Sequence, residues 1–269
     1  MKEWDRNLNL IRELVIKDLK IRYSRPALGF LWAFLSPFLM VMIFYFVFGT
    51  LLKVKTEDVP FFLYLMSGVF PWVFFQESIT RSATSLMDNK SLIKESRFPH
   101  YLVPISIVVA NMINYLPPLF ILITSSFFIL KGLPALLWLL PFILALHFLI
   151  TIGLSIIVSI LYIRWRDLKY FLDAVLMLLF YLTPTCYSLL IVKNSFPAGL
   201  FKAYLYNPLV GILTFYRTVL FKGFAIEAGK WFNLCEILTV QIVFVAVIFV
   251  SAFYIYKSNK NSINDYLPY

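Results

Sequence analysis

Reactive side chains are sparse in this sequence, and their spacing builds no catalytic set. His100 and His147 stand alone, with no carboxylate or cysteine at ligand spacing, and read as core or interfacial histidines. Cys186 and Cys235 are the only cysteines, so neither a disulfide framework nor a zinc cluster is indicated. No G-x-x-x-x-G-K followed by Ser or Thr occurs, and the chain therefore does not bind ATP through that loop. A proton-coupled pump needs an intramembrane relay of Asp, Glu or His, and hydrolysis by acid–base chemistry needs paired carboxylates. Neither pattern lies in the apolar runs; Asp173 and Glu236 stand near run ends and read as interfacial. The expectation is no catalytic residue, no metal site and no bound cofactor, with energy supplied from elsewhere.

The densest polar chemistry is an island at residues 85–104, SLMDNKSLIKESRFPHYLVP. Asp88, Lys90, Lys94, Glu95 and Arg97 cannot sit in hydrocarbon, where each Lys, Arg or Asp costs about 2.5–3.5 kcal/mol at a helix centre. Leu86, Leu92, Ile93 and Phe98 punctuate the charges and suggest a short helix with one apolar side, which Pro99 ends. An exposed loop gains nothing from such groups unless they plug into a partner, although a solvated loop with snorkelling side chains is the competing reading. A second cluster, YIRWRDLKY, packs Arg164, Arg166, Asp167 and Lys169 together. Burying it would cost on the order of 10 kcal/mol, so it is a loop at a membrane face.

The elements that hold these clusters are apolar runs. The chain has 269 residues, 61% of them hydrophobic and 14% charged, and its mean hydropathy is +0.83. That composition predicts an all-α polytopic membrane protein forming one membrane domain over residues 1–269. Residues 1–25 are no signal peptide, because charges recur throughout. Trp4, Leu8, Ile11, Val15 and Leu19 form one stripe of an amphipathic helix suited to the membrane interface. Six transmembrane spans follow, at 28–52, 61–79, 102–130, 134–163, 170–192 and 236–256; Pro117-Pro118 predicts a kink in the third. The loop at 81–100 joins the second and third spans. Between the last two spans, residues 193–235 hold apolar pieces too short to cross. Short re-entrant helices and a hairpin on the surface both fit that pattern. Six spans put both termini on one side, and that side carries sixteen of the 24 lysines and arginines. Both ends are therefore expected in the cytoplasm, with the chain in the cytoplasmic (inner) membrane. The net charge of +10 then suits anionic membrane lipid rather than nucleic acid.

Aromatic residues make up 19% of the chain. Most such rings in a membrane protein pack the core or belt the interfaces. Tyr45, Phe48, Phe70, Phe74 and Tyr187 are the candidates for another use, as rings around the outer mouth of a channel. Flat apolar faces stack on sugar C–H surfaces without demanding one hydrogen-bond register.

Four ordered segments carry a resemblance. They are KDLKIRYSRPALGFLWAFLSP, with Arg22, Tyr23, Leu28, Gly29, Trp32 and Pro37; NKSLIKESRFPHYLVPIS; YIRWRDLKYFL; and TPTCYSLLIVKNSF followed by YNPLVGILTFYRTVLF. In this order they resemble the membrane subunit of type-2 ATP-binding-cassette exporters of cell-surface polysaccharide, the O-antigen, capsule and teichoic-acid permeases. Arg25-Pro26 departs from the unbroken polar pair more usual there. The resemblance implies a homodimeric channel, bound to two copies of a nucleotide-binding ATPase subunit that holds ATP and Mg. It would export an undecaprenyl-linked polysaccharide. It also implies that residues 89–99 are the coupling helix seated in the ATPase, with Asn89, Lys90, Leu92, Ile93, Lys94, Glu95, Phe98 and Pro99 as its contacts. The 1–24 helix would gate the cytoplasmic entrance, and Asn207, Pro208, Tyr216 and Arg217 would belong to an outer re-entrant gate. Other readings stay open: a membrane-embedded glycolipid or polyprenyl-phosphate enzyme, an exporter of another lipid or drug, and an assembly scaffold. The enzyme reading needs clustered Asp, Arg or His at one face, whereas the 164–169 cluster is basic with a single carboxylate.

Overall fold

The computed structural model describes residues 3–24, 29–54, 56, 59–95, 98–132, 134, 136–221, 223–224 and 233–260. Regular structure among them is entirely helical. In chain order the helices are α1 (Glu3–Tyr23), α2 (Leu31–Phe44, continued by a π-helical stretch Tyr45–Leu51), α3 (Phe61–Asp88) and α4 (Lys90–Glu95). Then come α5 (Leu102–Ile129), a 3₁₀ turn (Leu137–Leu139) leading into α6 (Leu140–Arg164), and α7 (Leu168–Leu182). Three short helices, α8 (Leu189–Ser195), α9 (Ala198–Leu205) and α10 (Pro208–Leu220), precede the last, α11 (Leu234–Asn259).

Four of these stretches are long and apolar enough to cross a membrane: Leu31–Leu51, Leu102–Ile129, Leu137–Arg164 and Leu234–Asn259. They match the first, third, fourth and sixth expected spans, apart from end residues; Leu28 lies outside the described residues. Helix α5 runs on through Pro117 and Pro118. The other two expected spans fall on helices with different bounds. The second span, 61–79, is only the first part of α3, which carries Glu77 and Arg81 in its second half and reaches Asp88. The fifth, 170–192, breaks at Leu182. There the Thr183 and Thr185 hydroxyls donate to the carbonyls of Leu179 and Phe180, and α8 starts afresh with Ser188 accepting from the Leu190 amide at 3.2 Å. Pro184 brings no amide to continue the helix, although its apolar ring and the leucines beyond keep the hydropathy high.

Helix α3 is the centre of the packing. It lies along α5 and α6 and also touches α2, α7 and α10. Small residues interspersed among its large buried side chains allow close approach: Gly68, Ser78, Ser82, Ala83 and Ser85 are all buried. Ser67, Ser78 and Ser85 spend their hydroxyls on carbonyls of their own helix, so burial leaves those donors paired. Helix α10 is buried along its whole length rather than lying on a surface. The stripe expected on α1 divides: Val15 is buried where the helix packs on α5, whereas Trp4 and Leu8 stay exposed.

Helix α6 meets α11 over Gly153. A Cβ placed there would lie 2.2 Å from Cγ2 of Ile248, a β-branched side chain with little room to swing away. Gly153→Val is expected to lower the melting temperature of the detergent-solubilised protein, at an overpacking cost of about 1–3 kcal/mol. Unchanged melting would show that the two helices are not in register here.

Candidate functional site

The two ends of α3 carry two different polar assemblies. Gly68 and Asn89 lie about 30 Å apart along its axis, the thickness of a bilayer's hydrocarbon core.

At the C-terminal end, α1, α3 and α4 are tied together. Asp18 accepts hydrogen bonds from Arg22 at 2.9 Å on its own helix and from Arg81 on α3. Lys17 donates to Asn89 Oδ1 at 2.8 Å, while Asn89 Nδ2 donates to the backbone carbonyl of Ser85 at 2.8 Å. Asn89 thus closes α3 and fastens the start of α4 to α1. The short helix turns its apolar side inward: Ile93 is 2% exposed, and Leu92 and Phe98 pack partly against the same core. Of the three groups expected to plug into a partner, Ile93 thus lies in this chain's own core, while Leu92 and Phe98 stay partly exposed. A helix of this length fastened at Asn89 has one apolar side, and its own bundle is the nearest dry surface. The outward face is Asp88, Lys90 and Ser91; Pro99 is half-buried, and the Lys94 and Glu95 side chains lie outside the described residues. Under Phe98 sits His100, whose pKa is lowered by burial and then by Lys260, so its ring is neutral at neutral pH.

At the N-terminal end of α3, Arg217 of α10 is 0% exposed. Its guanidinium lies 3.6 Å from the centroid of the Tyr64 ring. Its Nε donates to Ser67 Oγ at 3.3 Å, and Nη2 donates to the carbonyls of Pro184 and Thr185. Tyr64 in turn accepts from the Leu189 amide at 3.2 Å. The break after α7 is therefore held by a cation and a ring from two other helices. Gly68 is what lets it close: a Cβ there would stand 2.6 Å from the Thr185 carbonyl oxygen. Tyr216 is equally buried, with its hydroxyl 3.3 Å from His147 Nδ1. Asn207 caps α10 by accepting from the Leu209 amide at 3.0 Å, and Pro208 occupies the first turn, where no amide is needed. Tyr216 and Arg217 are thus interior packing and clamping groups, and Asn207 and Pro208 set where their helix begins.

The five aromatic candidates do not form one ring within this chain. Phe70 and Phe74 are buried, Phe74 stacking on Tyr115 and meeting His147 edge-on. Tyr45 packs on Phe61 and Phe62, and Phe48 on Phe44. Tyr187 donates to the Tyr181 carbonyl at 2.9 Å and pairs with the Tyr204 hydroxyl at 3.1 Å. Sequence reasoning missed Tyr64, Ser67, Gly68 and Thr185, which surround Arg217. It also passed over Asn111 and Asn114, although two amides three apart inside an apolar run are a legible signal.

Known proteins align with most of this chain. A Klebsiella pneumoniae protein named O-antigen export system permease protein RfbA is 33% identical over 81% of this chain and 83% of its own length. A Myxococcus xanthus protein of the same name is 28% identical over 79% and 80%. An Escherichia coli protein named polysialic acid transport protein KpsM is 22% identical over 88% and 90%. The ABC-2 type transporter pattern matches residues 9–221, a stretch that takes in α1 from residue 9 onward and both assemblies on α3, the Arg217 clamp included. The chain belongs to the ABC-2 type transporter membrane family.

Proposed function

We propose that this chain is the membrane permease subunit of an ATP-driven exporter that carries lipid-linked polysaccharide across the cytoplasmic membrane. The observation that carries the reading is the breadth of the likeness: relatives named as O-antigen export permeases align over about four-fifths of both chains. The sequence holds no phosphate loop of its own, so ATP and Mg belong to a separate ATPase subunit. Two copies of that subunit would serve a homodimer of this chain. The exposed apolar faces of α2, α7 and α11 suit contact with lipid and with a second copy. The outward surface at the α3–α4 junction, Asp88, Lys90 and Ser91, seated by Ile93 and Asn89, is the contact offered to the ATPase. An undecaprenyl chain is the lipid that fits this role.

In this reading α2, α3, α5, α6, α7 and α11 make six crossings, with both termini inside. Helix α1 lies in the inner interface, with Trp4 and Leu8 toward lipid. Helix α7, with 15 residues, spans about 22 Å and falls short of the roughly 30 Å core. The break at 183–188 and α8 complete the crossing; non-helical backbone is tolerated there only against protein, which Arg217 and Tyr64 supply. Helices α9 and α10 then re-enter from outside.

Topology is tested with Ser91→Cys and Gly199→Cys, each in a Cys186→Ser, Cys235→Ser background. Gly199 is exposed with open space around it. An impermeant maleimide should label the Gly199 variant in intact cells and the Ser91 variant only after permeabilisation. The opposite pattern would end the six-crossing scheme. Function is tested in proteoliposomes containing the permease, its ATPase and a fluorescent lipid-linked glycan. ATP-dependent movement of the glycan is expected. Movement of a simple lipid or drug alone would assign another cargo, and no ATP-dependent movement would leave a scaffold.

A further inference from the structure

Between α1, α2, α3 and α5 lies a cavity of about 370 Å³, within the range of small-molecule sites. Into it face two amides with unpaired polar atoms. Asn114 is 9% exposed, and both its Nδ2 and its Oδ1 are buried and unpaired. Asn111 donates to Ser78 Oγ at 3.2 Å, but its Oδ1 is also buried without a partner. The two sit three apart on one face of α5. Buried polar groups left without partners are costly, so these atoms point to an occupant that can hydrogen-bond them.

The electrostatics narrow what could occupy it. Arg22 and Arg81 reach the cavity with Glu77, and both arginines already share Asp18. Asp18 and the exposed Glu77 match the two cations in number, and the Nε of each arginine is a further buried donor without a partner. What the walls supply is donors and acceptors together, beside flat apolar faces from Trp32, Tyr23, Phe70 and Phe74. Hydroxyl groups both donate and accept, and a sugar ring offers C–H faces to stack on aromatics. The mouth opens at α2, where Trp32 is 43% exposed and Ser36 is exposed as well.

We propose that this cavity binds the sugar head of a membrane-embedded glycolipid, with Asn111 and Asn114 bonding its hydroxyls and Trp32 covering a ring face. The proposal rests on the reading of the chain as an exporter of lipid-linked glycan, which supplies the glycolipid, but its test uses neither ATPase nor export. Ser36→Cys is made in the Cys186→Ser, Cys235→Ser background and reconstituted in phosphatidylethanolamine vesicles. The rate of its modification by a small hydrophilic methanethiosulfonate is then measured. A few mole per cent of monoglucosyldiacylglycerol is expected to slow modification at least about threefold, the factor 1 + [L]/Kd at twice the dissociation constant. Phosphatidic acid at the same level should have no such effect. Asn114→Leu, and separately Trp32→Leu at an exposed position that folding does not need, should remove the protection.

Protection by phosphatidic acid equal to or above that of the glucolipid would make this a phosphate site and overturn the proposal. Absence of protection by either lipid would make it a water-filled recess, and absence of any modification would make it closed; both overturn it too. Protection with no glycan export would fault the transport reading alone. Export that survives loss of protection would fault this site alone.

Discussion

Arg217→Met is expected to cost on the order of 3–5 kcal/mol, from about 1–3 kcal/mol for each acceptor left dry, and to lower the melting temperature by roughly 10 °C. Replacing a whole buried ion pair by apolar side chains is often harmless, because the desolvation of both charges is recovered. Here only one side of the arrangement leaves. Methionine fills much of the volume, but the carbonyls of Pro184 and Thr185 remain in an apolar interior with no donor in reach, and the Tyr64 face loses its cation. The break at 183–188 then has nothing to hold it beside α3. Arg217→Lys keeps the charge but has no planar fork to reach Ser67 and the two carbonyls at once, so it should recover only part of the loss. The measurement is thermal unfolding of the solubilised protein, together with ATP-driven export in proteoliposomes. A methionine variant with normal melting and normal export would show that the break is held by packing alone.

Ile93→Asp is expected to abolish ATP-driven export and co-purification with the ATPase while the permease still inserts. The reason is not a lost contact with the partner. A carboxylate at a position only 2% exposed must leave its seat or be protonated, because burying it ionised costs several kcal/mol. Helix α4 is too short to hold its shape without that seat. Insertion depends on the long apolar helices and is unaffected. The distinguishing measurement is limited proteolysis of the isolated permease: the 89–99 segment of the variant should be cut faster even with no ATPase present. Wild-type resistance of the isolated variant, with association still lost, would return Ile93 to the role of a direct contact. Lys90→Glu on the exposed face is the complement. It should leave proteolysis unchanged and shift only the salt dependence of association, as rim charges do.

Much of the architecture was legible because hydropathy is a local sum. A run such as Leu137–Arg164 declares itself without reference to any other residue, and the 164–169 cluster ends it for the same reason. The four ordered segments that resemble polysaccharide exporters were equally readable, and the family assignment agrees with them. What could not be read there is which way a short helix turns and which distant groups complete a buried polar one. Ile93 looked like part of an outward plug because the alternation of charged and apolar residues is the same whether the apolar side meets a partner or its own bundle; only the fold places it in the bundle's core. The break after Leu182 was hidden because its threonines and proline barely lower an average dominated by leucine and phenylalanine. Its stability depends on Arg217, Tyr64 and Gly68, which approach from helices far away in the chain. The sequence alone therefore determined where the four long apolar helices lie and what family the chain belongs to. Only the tertiary structure decided where the buried charge is spent and which amides are left facing a cavity, because those pairings exist only once helices remote in sequence come within hydrogen-bonding distance.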